Sequence, residues 1–226
     1  VMVKKYFSAL IALICMCTSF GCSKNSKEDS AVSNQEETVS QNNGNNEISE
    51  LIVPDENSEE YQLGSYRISP SGIKLYYDES IPDDLMITLE KYFTSFETRD
   101  FSTYKTCLYD GYSDLMEEYL QKDFEYGLEN SFNLQCDNLL GMSGADEYKI
   151  TRIRAEHTEN DDLSGFFDVL NDNFGRDYYK EVSESSDSLT DLYFSIIVQA
   201  DDEEVLLISE FQIVFAEKDG KYYTFG

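Results

Sequence analysis

The sequence predicts an α+β domain in which N-terminal helices pack on a curved antiparallel sheet, and a disordered tether precedes this domain. Residues 189–226 alternate apolar and polar side chains with the period of a half-buried sheet, and turn residues separate the apolar runs. Residues 81–140 carry apolar side chains at helical spacing instead. Residues 23–60 are rich in Ser, Asn, Gln and Glu, and they hold too little apolar surface to offset the entropy of folding.

The N-terminal residues have the layout of a secretory signal peptide, because Lys4 and Lys5 precede an apolar run that is too short to span a membrane. The four residues from Ser19 to Cys22 resemble the cleavage region of bacterial lipoproteins, in which a cysteine after a small residue is lipidated and becomes the new N-terminus. The resemblance implies a signal peptide over residues 1–21 and a palmitate-type lipid anchor on Cys22. It also implies an extracytoplasmic protein of the cell envelope, lipid-anchored to a bacterial membrane.

The charge of the chain restricts its partners. The formal net charge is -28, with 45 acidic residues against 17 Lys and Arg residues. Nucleic-acid binding needs cations that displace counterions from phosphates, so this composition argues against it. The same charge opposes adsorption to anionic lipid, so we expect membrane contact through the lipid anchor only. Residues 22–60 would then be the lipidated cysteine and a flexible acidic tether, which can hold a domain on the order of 30 Å from the membrane.

A single folded domain is predicted over residues 61–226, beginning with a short hairpin over residues 65–77 whose turn contains Pro70 and Gly72. The first helix is predicted to start between Ser80 and Asp84. Its apolar stripe consists of Leu85, Leu89, Tyr92, Phe93 and Phe96, and its opposite face of Glu90, Lys91, Glu97 and Arg99.

The segment from Phe93 to Tyr104 carries a family resemblance. The first helix ends in the pair Arg99-Asp100, and Asp100 is placed to cap a second helix that opens on Phe101. This layout resembles the start of the nuclear-transport-factor-2-like superfamily, also called cystatin-like, over residues 81–226. The resemblance implies a cone-shaped α+β roll with a cavity between the curved sheet and the helices.

The elements that follow can also be placed from the sequence. Further helices are predicted over residues 113–121, 124–140 and 166–174, with Gly141 and Gly175 as C-terminal caps and a polar connection over residues 177–188. Strands are predicted over residues 148–157, 190–200, 204–216 and 221–225. The first of these strands needs a bulge, because Ile150 and Ile153 cannot otherwise both face the core.

Five aromatic residues on the predicted helices could line the cavity that the roll implies. This candidate pocket consists of Tyr92, Phe96, Tyr104, Tyr109 and Tyr112. The same spacing is also typical of core residues whose tyrosine hydroxyls reach the rim, so both interpretations stay open.

No cofactor or metal site is predicted. Two cysteines remain beyond the signal region, Cys107 and Cys136, and a disulfide could link them outside the cytoplasm. The single histidine, His157, is expected to be a solvated residue at a strand end. Residues 160–165 imitate the first half of a calcium loop, but Asn171 stands where a bidentate Glu is needed.

The main hypothesis is a non-catalytic lipoprotein that binds a small ligand or another envelope protein through its roll. Some members of the superfamily are isomerases or dehydratases that use Asp, Tyr and His side chains in the cavity, but those residues do not map onto this chain. The alternative hypothesis is an enzyme of that type, with a carboxylate such as Asp100 or Asp110 in an apolar cavity near a tyrosine hydroxyl. A structural surface protein without a pocket is the third hypothesis.

Overall fold

The computed structural model describes residues 47–158 and 163–226, which belong to one structural unit. The elements in chain order are a 3-10 turn (Glu59–Leu63), β1 (Arg67–Ile68), β2 (Lys74–Tyr76), α1 (Asp83–Glu97), α2 (Phe101–Thr106), α3 (Tyr112–Phe124), α4 (Leu128–Ser143), β3 (Tyr148–His157), α5 (Ser164–Phe174), α6 (Tyr178–Ser185), β4 (Ser188–Ala200), β5 (Glu203–Lys218) and β6 (Lys221–Thr224). Among these residues, no helix has the length and apolar character needed to cross a membrane.

The strands form one sheet in the order β1 to β6, and the sheet curls into a half-barrel. Strands β3 to β6 pair antiparallel, as predicted. The hairpin predicted over residues 65–77 corresponds to β1 and β2, and β2 lies parallel to β3. The sheet is therefore mixed rather than antiparallel throughout. Four helices connect β2 to β3, and a connection of this length allows two neighbouring strands to run in the same direction.

Helix α1 packs its apolar stripe against the sheet, and it contacts both β3 and β6. Leu85 and Leu89 are fully buried, and the Phe93 ring lies 4.8 Å from the Phe194 ring of β4. Burying each such side chain contributes about 1.5–3 kcal/mol to stability. The predicted fold class is confirmed: the protein is α+β, with its N-terminal helices packed on a curved sheet. This arrangement is compatible with the roll that the family resemblance implies.

The expected bulge is present in β3. The pairing of β3 with β4 changes register between Ile150 and Arg152. As a result, Ile150 and Ile153 are both buried in the core, although they are three residues apart. The mixed alternation of this strand is thus explained by one inserted residue, Thr151.

Two helix boundaries and one connection differ from the prediction. Phe124 ends α3 rather than starting α4, and α4 continues past Gly141 to Gly144, which caps it with a φ of +73°. The predicted polar connection contains α6, because Asp177 accepts a hydrogen bond from the Lys180 backbone N–H at 3.2 Å and so caps a helix. Its buried residues Tyr178 and Val182 lie one turn apart on the inner side. Gly175 caps α5, as predicted.

The domain begins earlier than residue 61. The Ser49 backbone N–H donates to the Ile68 carbonyl at 2.9 Å, and Ile52 forms an antiparallel bridge with Tyr66. Ile48 packs against the core. These apolar residues interrupt a polar stretch, and their pairing with the hairpin makes residues 47–60 part of the domain rather than part of the tether. The tether predicted over residues 22–60 otherwise lies outside the described residues, as do Cys22 and the signal peptide.

Candidate functional site

Three of the predicted pocket residues belong to a filled aromatic core. We call Tyr92, Phe96, Tyr104 and Phe132 the aromatic cluster. The Phe96 ring lies 5.1 Å from the rings of both Tyr92 and Phe132, and the Tyr104 ring lies 4.9 Å from that of Phe132. Each of the four residues is no more than 4 % exposed. Burial raises the pKa of the Tyr92 and Tyr104 hydroxyls, so both are neutral and suited to a core position.

The other two predicted pocket residues, Tyr109 and Tyr112, pack around Phe225 at ring distances of 5.5 and 6.1 Å. Both are buried, and the Tyr109 hydroxyl lies 2.9 Å from Ser185 Oγ of α6. The five residues predicted to line a pocket thus occupy core positions. All five aromatic side chains are buried and contact other aromatic rings. None of them lines the cleft between residues 71–74 and 149–152 or the smaller cleft between Arg154 and Glu210.

The two acids named for the enzyme hypothesis are both on the surface. Asp100 caps α2, and hydrogen bonds from the Thr103 backbone N–H and hydroxyl hold the pKa of Asp100 below its ordinary value. Asp110 is exposed and forms an ion pair with Lys218 Nζ at 2.9 Å. Neither carboxylate lies in an apolar cavity near a tyrosine hydroxyl, as the enzyme hypothesis requires.

Cys107 and Cys136 are buried free thiols, so the disulfide considered from the sequence is not formed. Cys107 closes α2, and its Sγ donates to the Thr103 carbonyl of the same helix at 3.5 Å. Cys136 lies within α4. Burial raises the pKa of both thiols, which keeps them protonated and unreactive as core side chains.

The remaining metal and histidine candidates give no site. His157 is exposed at the end of β3. The calcium-like segment lies mostly outside the described residues, which exclude 159–162. Asn171 has a structural role instead, because its side-chain oxygen accepts a hydrogen bond from the Tyr179 backbone N–H at 3.1 Å. Within residues 47–158 and 163–226, no group of three His, Cys, Asp or Glu side chains could hold a metal ion.

A cleft of about 400 Å³ lies where the β1–β2 hairpin meets one end of the sheet. We call it the hairpin cleft. It is lined by residues 71–74 of the hairpin, residues 149–152 of β3, and Gln199 and Glu204 on either side of the β4–β5 turn. Gly72 allows the hairpin to turn here, because its φ of +91° is a conformation that other residues adopt at a cost.

The bulge in β3 brings cations together in this cleft. Residues three apart in a regular strand point to opposite faces. The register shift at Thr151 turns Ile150 and Ile153 both into the core, and it leaves Lys149 and Arg152 together on the other face. Lys74 pairs with Arg152 across β2 and β3, so it lies beside Arg152 on that face.

The cleft carries more cations than acids, unlike the chain as a whole. Arg152 Nη2 lies 2.8 Å from Glu204 Oε1, and Lys74 forms an ion pair with Glu60 of the 3-10 turn. Among the described residues, no acid lies within 4.0 Å of the Lys149 ammonium. The Lys74–Glu60 pair is half-buried, whereas the Glu204 side chain of the other pair is more exposed to solvent.

A buried carboxylate supports the hairpin turn from the other side. Glu90 of α1 is only 6 % exposed, and its Oε1 accepts a hydrogen bond from the Ser71 hydroxyl, whose residue lines the cleft. Its Oε2 is buried without a hydrogen-bond partner in the described part of the chain. Burial raises the pKa of the Glu90 carboxyl, and the hydrogen bond from Ser71 opposes that shift. The sequence pattern predicts Glu90 on the solvent face of α1, and its burial shows that this prediction is wrong.

Glu97 is a second acid of α1 that turns inward. Its Oε2 accepts a hydrogen bond from the backbone N–H of Ile150 at 2.8 Å, at the position where the bulge begins. Burial raises the pKa of the Glu97 carboxyl, and this hydrogen bond and the charge of Lys149 lower it. Glu97 therefore fixes the strand segment that presents the cleft cations. It too was expected to face solvent.

The sequence contained signals for these missed residues. Glu90 lies four residues after Met86 and three before Phe93, both of which are buried, so helical spacing places it on the inner stripe. The bulge expected between Ile150 and Ile153 also implies that Lys149 and Arg152 share the opposite face. That Lys74 would lie beside them could not be foreseen, because it depends on the parallel pairing of β2 with β3.

No protein family matches the chain, and neither does any curated protein or solved structure. The hairpin cleft is accordingly defined by the geometry of this chain alone.

Proposed function

We propose that the protein is a non-catalytic lipoprotein of the bacterial cell envelope, whose folded domain binds a small ligand in the hairpin cleft. The observation that carries this proposal is the cleft itself. Its volume of about 400 Å³ is within the range of small-molecule sites, which is roughly 300–1,000 Å³. The residues of the predicted aromatic pocket are buried and contact one another, and none of them lines this cleft.

The anchoring part of the proposal comes from the N-terminal sequence. Lys4, Lys5 and the apolar run precede Cys22, in the order of a lipoprotein signal, and an acidic polar segment follows. The curled sheet with helices packed on it supports membership of the nuclear-transport-factor-2-like superfamily. A small-ligand site is favoured over a surface for another envelope protein, because the hairpin cleft is concave and limited in size.

The enzyme alternative has less support. The acids that would serve it, Asp100 and Asp110, are exposed and held in a helix cap and an ion pair. Glu90, the most buried acid of α1, hydrogen-bonds to a serine that shapes the hairpin.

Ligand binding can be tested by a ligand-observed NMR screen on the full chain in detergent, with neutral, cationic and anionic small molecules. At least one compound should bind. Binding should weaken in a Lys74→Gln, Arg152→Gln variant, and it should persist in a control with Lys180→Gln and Lys221→Gln. Compounds that bind equally well to both variants would place the site elsewhere.

Anchoring can be tested with Cys22→Ala. Wild-type protein should sediment with membranes and incorporate labelled palmitate, whereas the variant should be released or remain unprocessed. Ser23→Ala, next to the anchor, is the matched control and should behave as wild type. Unchanged membrane retention of the Cys22 variant would contradict lipid anchoring.

A further inference from the structure

We infer that the ligand of the hairpin cleft is a free small molecule with an oxyanion group, a carboxylate or a phosphate. The inference rests on the proposed function, because it names the chemical class of the ligand in the same cleft. Three cationic side chains line the cleft, those of Lys74, Lys149 and Arg152, against one acid, Glu204. In the whole chain the ratio is reversed, with 17 Lys and Arg residues to 45 acids.

The cations are held close together by the backbone. Lys74 and Arg152 are paired neighbours on strands that lie about 4.8 Å apart. The bulge at Thr151 puts Lys149 on the same face of β3 as Arg152. Glu97 holds the start of the bulge by accepting from the Ile150 backbone N–H. Glu60 and Glu204 pair with two of the three cations, and an oxyanion in the cleft would attract all three of them.

The three side chains also suit an oxyanion chemically. The Arg152 guanidinium can donate two parallel hydrogen bonds to a carboxylate or a phosphate, and each lysine supplies a point charge. Among the described residues Lys149 forms no ion pair within 4.0 Å, and its nearest electrostatic partner, Glu97, also accepts a hydrogen bond from the Ile150 backbone N–H. The Lys149 ammonium can therefore contact a ligand without breaking an ion pair.

The acid that pairs with Arg152 can be exchanged for a ligand. The Glu204 side chain is 46 % exposed and belongs to the second residue of β5, next to a turn. Because the Glu204 side chain is partly exposed and lies beside a turn, a ligand oxyanion could take the position of its carboxylate beside Arg152. Glu204 would then compete with the ligand, and its removal should strengthen binding.

The test is isothermal titration of the full chain in detergent at low ionic strength, with inorganic phosphate and with succinate. Glycerol and choline serve as neutral and cationic comparators. Saturable binding of at least one oxyanion is expected, and it should weaken as salt is added. A Lys149→Gln, Arg152→Gln variant should lose about tenfold or more in affinity, whereas Glu204→Gln should gain about threefold or more. The surface variant Lys180→Gln, Lys221→Gln should be unchanged, and thermal melts verify that every variant is folded.

Each contrary result has a defined meaning. Absence of binding by both oxyanions, or equal affinity in the Lys149→Gln, Arg152→Gln variant, overturns the inference. Binding to phosphatidylglycerol vesicles without binding to free phosphate also overturns it, because the ligand would then be a lipid surface. If only glycerol or choline binds in the cleft, the oxyanion inference fails while the proposed function stands. If no compound of any charge binds there, the proposed function fails with it.

Discussion

The aromatic cluster and the hairpin cleft both depend on α1, yet they have opposite properties. Tyr92 and Phe96 of α1 fill the aromatic cluster completely, whereas Glu90 of the same helix supports the hairpin turn that borders open volume. The cluster is apolar and closed, and the cleft is cationic and partly open. The apolar stripe of α1 therefore contributes to stability, whereas the open volume lies where the hairpin turn and the β3 bulge separate the side chains.

The largest expected effect is on the aromatic cluster. Phe96→Ala should lower the free energy of unfolding by about 3–5 kcal/mol, because it removes a ring that contacts the three other rings of the cluster and Phe93, and it leaves a cavity. A denaturant melt measures this change. Leu134→Ala on α4 is the matched control and should change the free energy by less than about 0.5 kcal/mol, because Leu134 is exposed. Equal losses would show that the cluster is not core.

A smaller effect is expected from the segment that joins the tether to the hairpin. Deleting residues 47–60 should cost on the order of 2 kcal/mol, because it removes the hydrogen bonds of Ser49 and Ile52 to the hairpin. Deleting the equally long segment 33–46 should leave the free energy of unfolding within about 0.5 kcal/mol of wild type. If neither deletion changes the free energy of unfolding in denaturant melts, residues 47–60 belong to the tether.

The smallest expected effect on stability concerns the pH dependence contributed by Glu90. Its folded pKa is raised above the ordinary value of 4.5, so the folded state binds this proton more tightly than the unfolded state does. The stabilisation is fully present below pH 4.5 and is lost as pH rises through the folded pKa. Relative to Glu90→Gln, which carries no such proton, wild-type stability should therefore fall as pH rises.

Denaturant melts of wild type and Glu90→Gln between pH 4 and pH 8 measure this difference. Other titrating groups cancel between the two proteins. Glu118→Gln on the exposed side of α3 is the control and should stay within about 0.5 kcal/mol of wild type at each pH. A difference between wild type and Glu90→Gln that rises with pH, or stays constant, would show that Glu90 is not buried against the hairpin.

Much of the fold could be predicted from local patterns. The alternation in β4, the helical spacing in α1 and the need for a bulge in β3 are properties of short segments, and each of them is confirmed. The alternation predicted for β5 is interrupted, because its pairing with β4 shifts register and residues 213–216 are all buried. The errors came from marginal local signals. Residues 47–60 are polar on average, and this average composition predicts a tether. It conceals the few apolar residues that pair with the hairpin. The sequence does not predict helix α6, because it has only two buried apolar residues, Tyr178 and Val182, among polar and charged ones.

The site was harder to predict than the fold, because it depends on contacts between distant segments. Lys74, Arg152 and Glu204 come from three strands, and only the sheet register places them together. The helical spacing of the aromatic residues is compatible with a pocket lining, but spacing cannot show whether the space between them is filled. Tertiary packing decides this point, and here it fills the space around Tyr104 and Tyr112.

The contrast between a closed aromatic cluster and an open hairpin cleft is tested most directly by an amide chemical-shift map of the full chain in detergent. A compound that binds in the screen would be added to isotopically labelled protein. We expect saturable shifts at residues 71–74, at residues 149–152 and at Glu204, with the amides of Tyr92, Tyr104 and Phe132 unchanged. Shifts centred on Tyr92, Tyr104 and Phe132, without shifts at the residues of the hairpin cleft, would contradict this contrast.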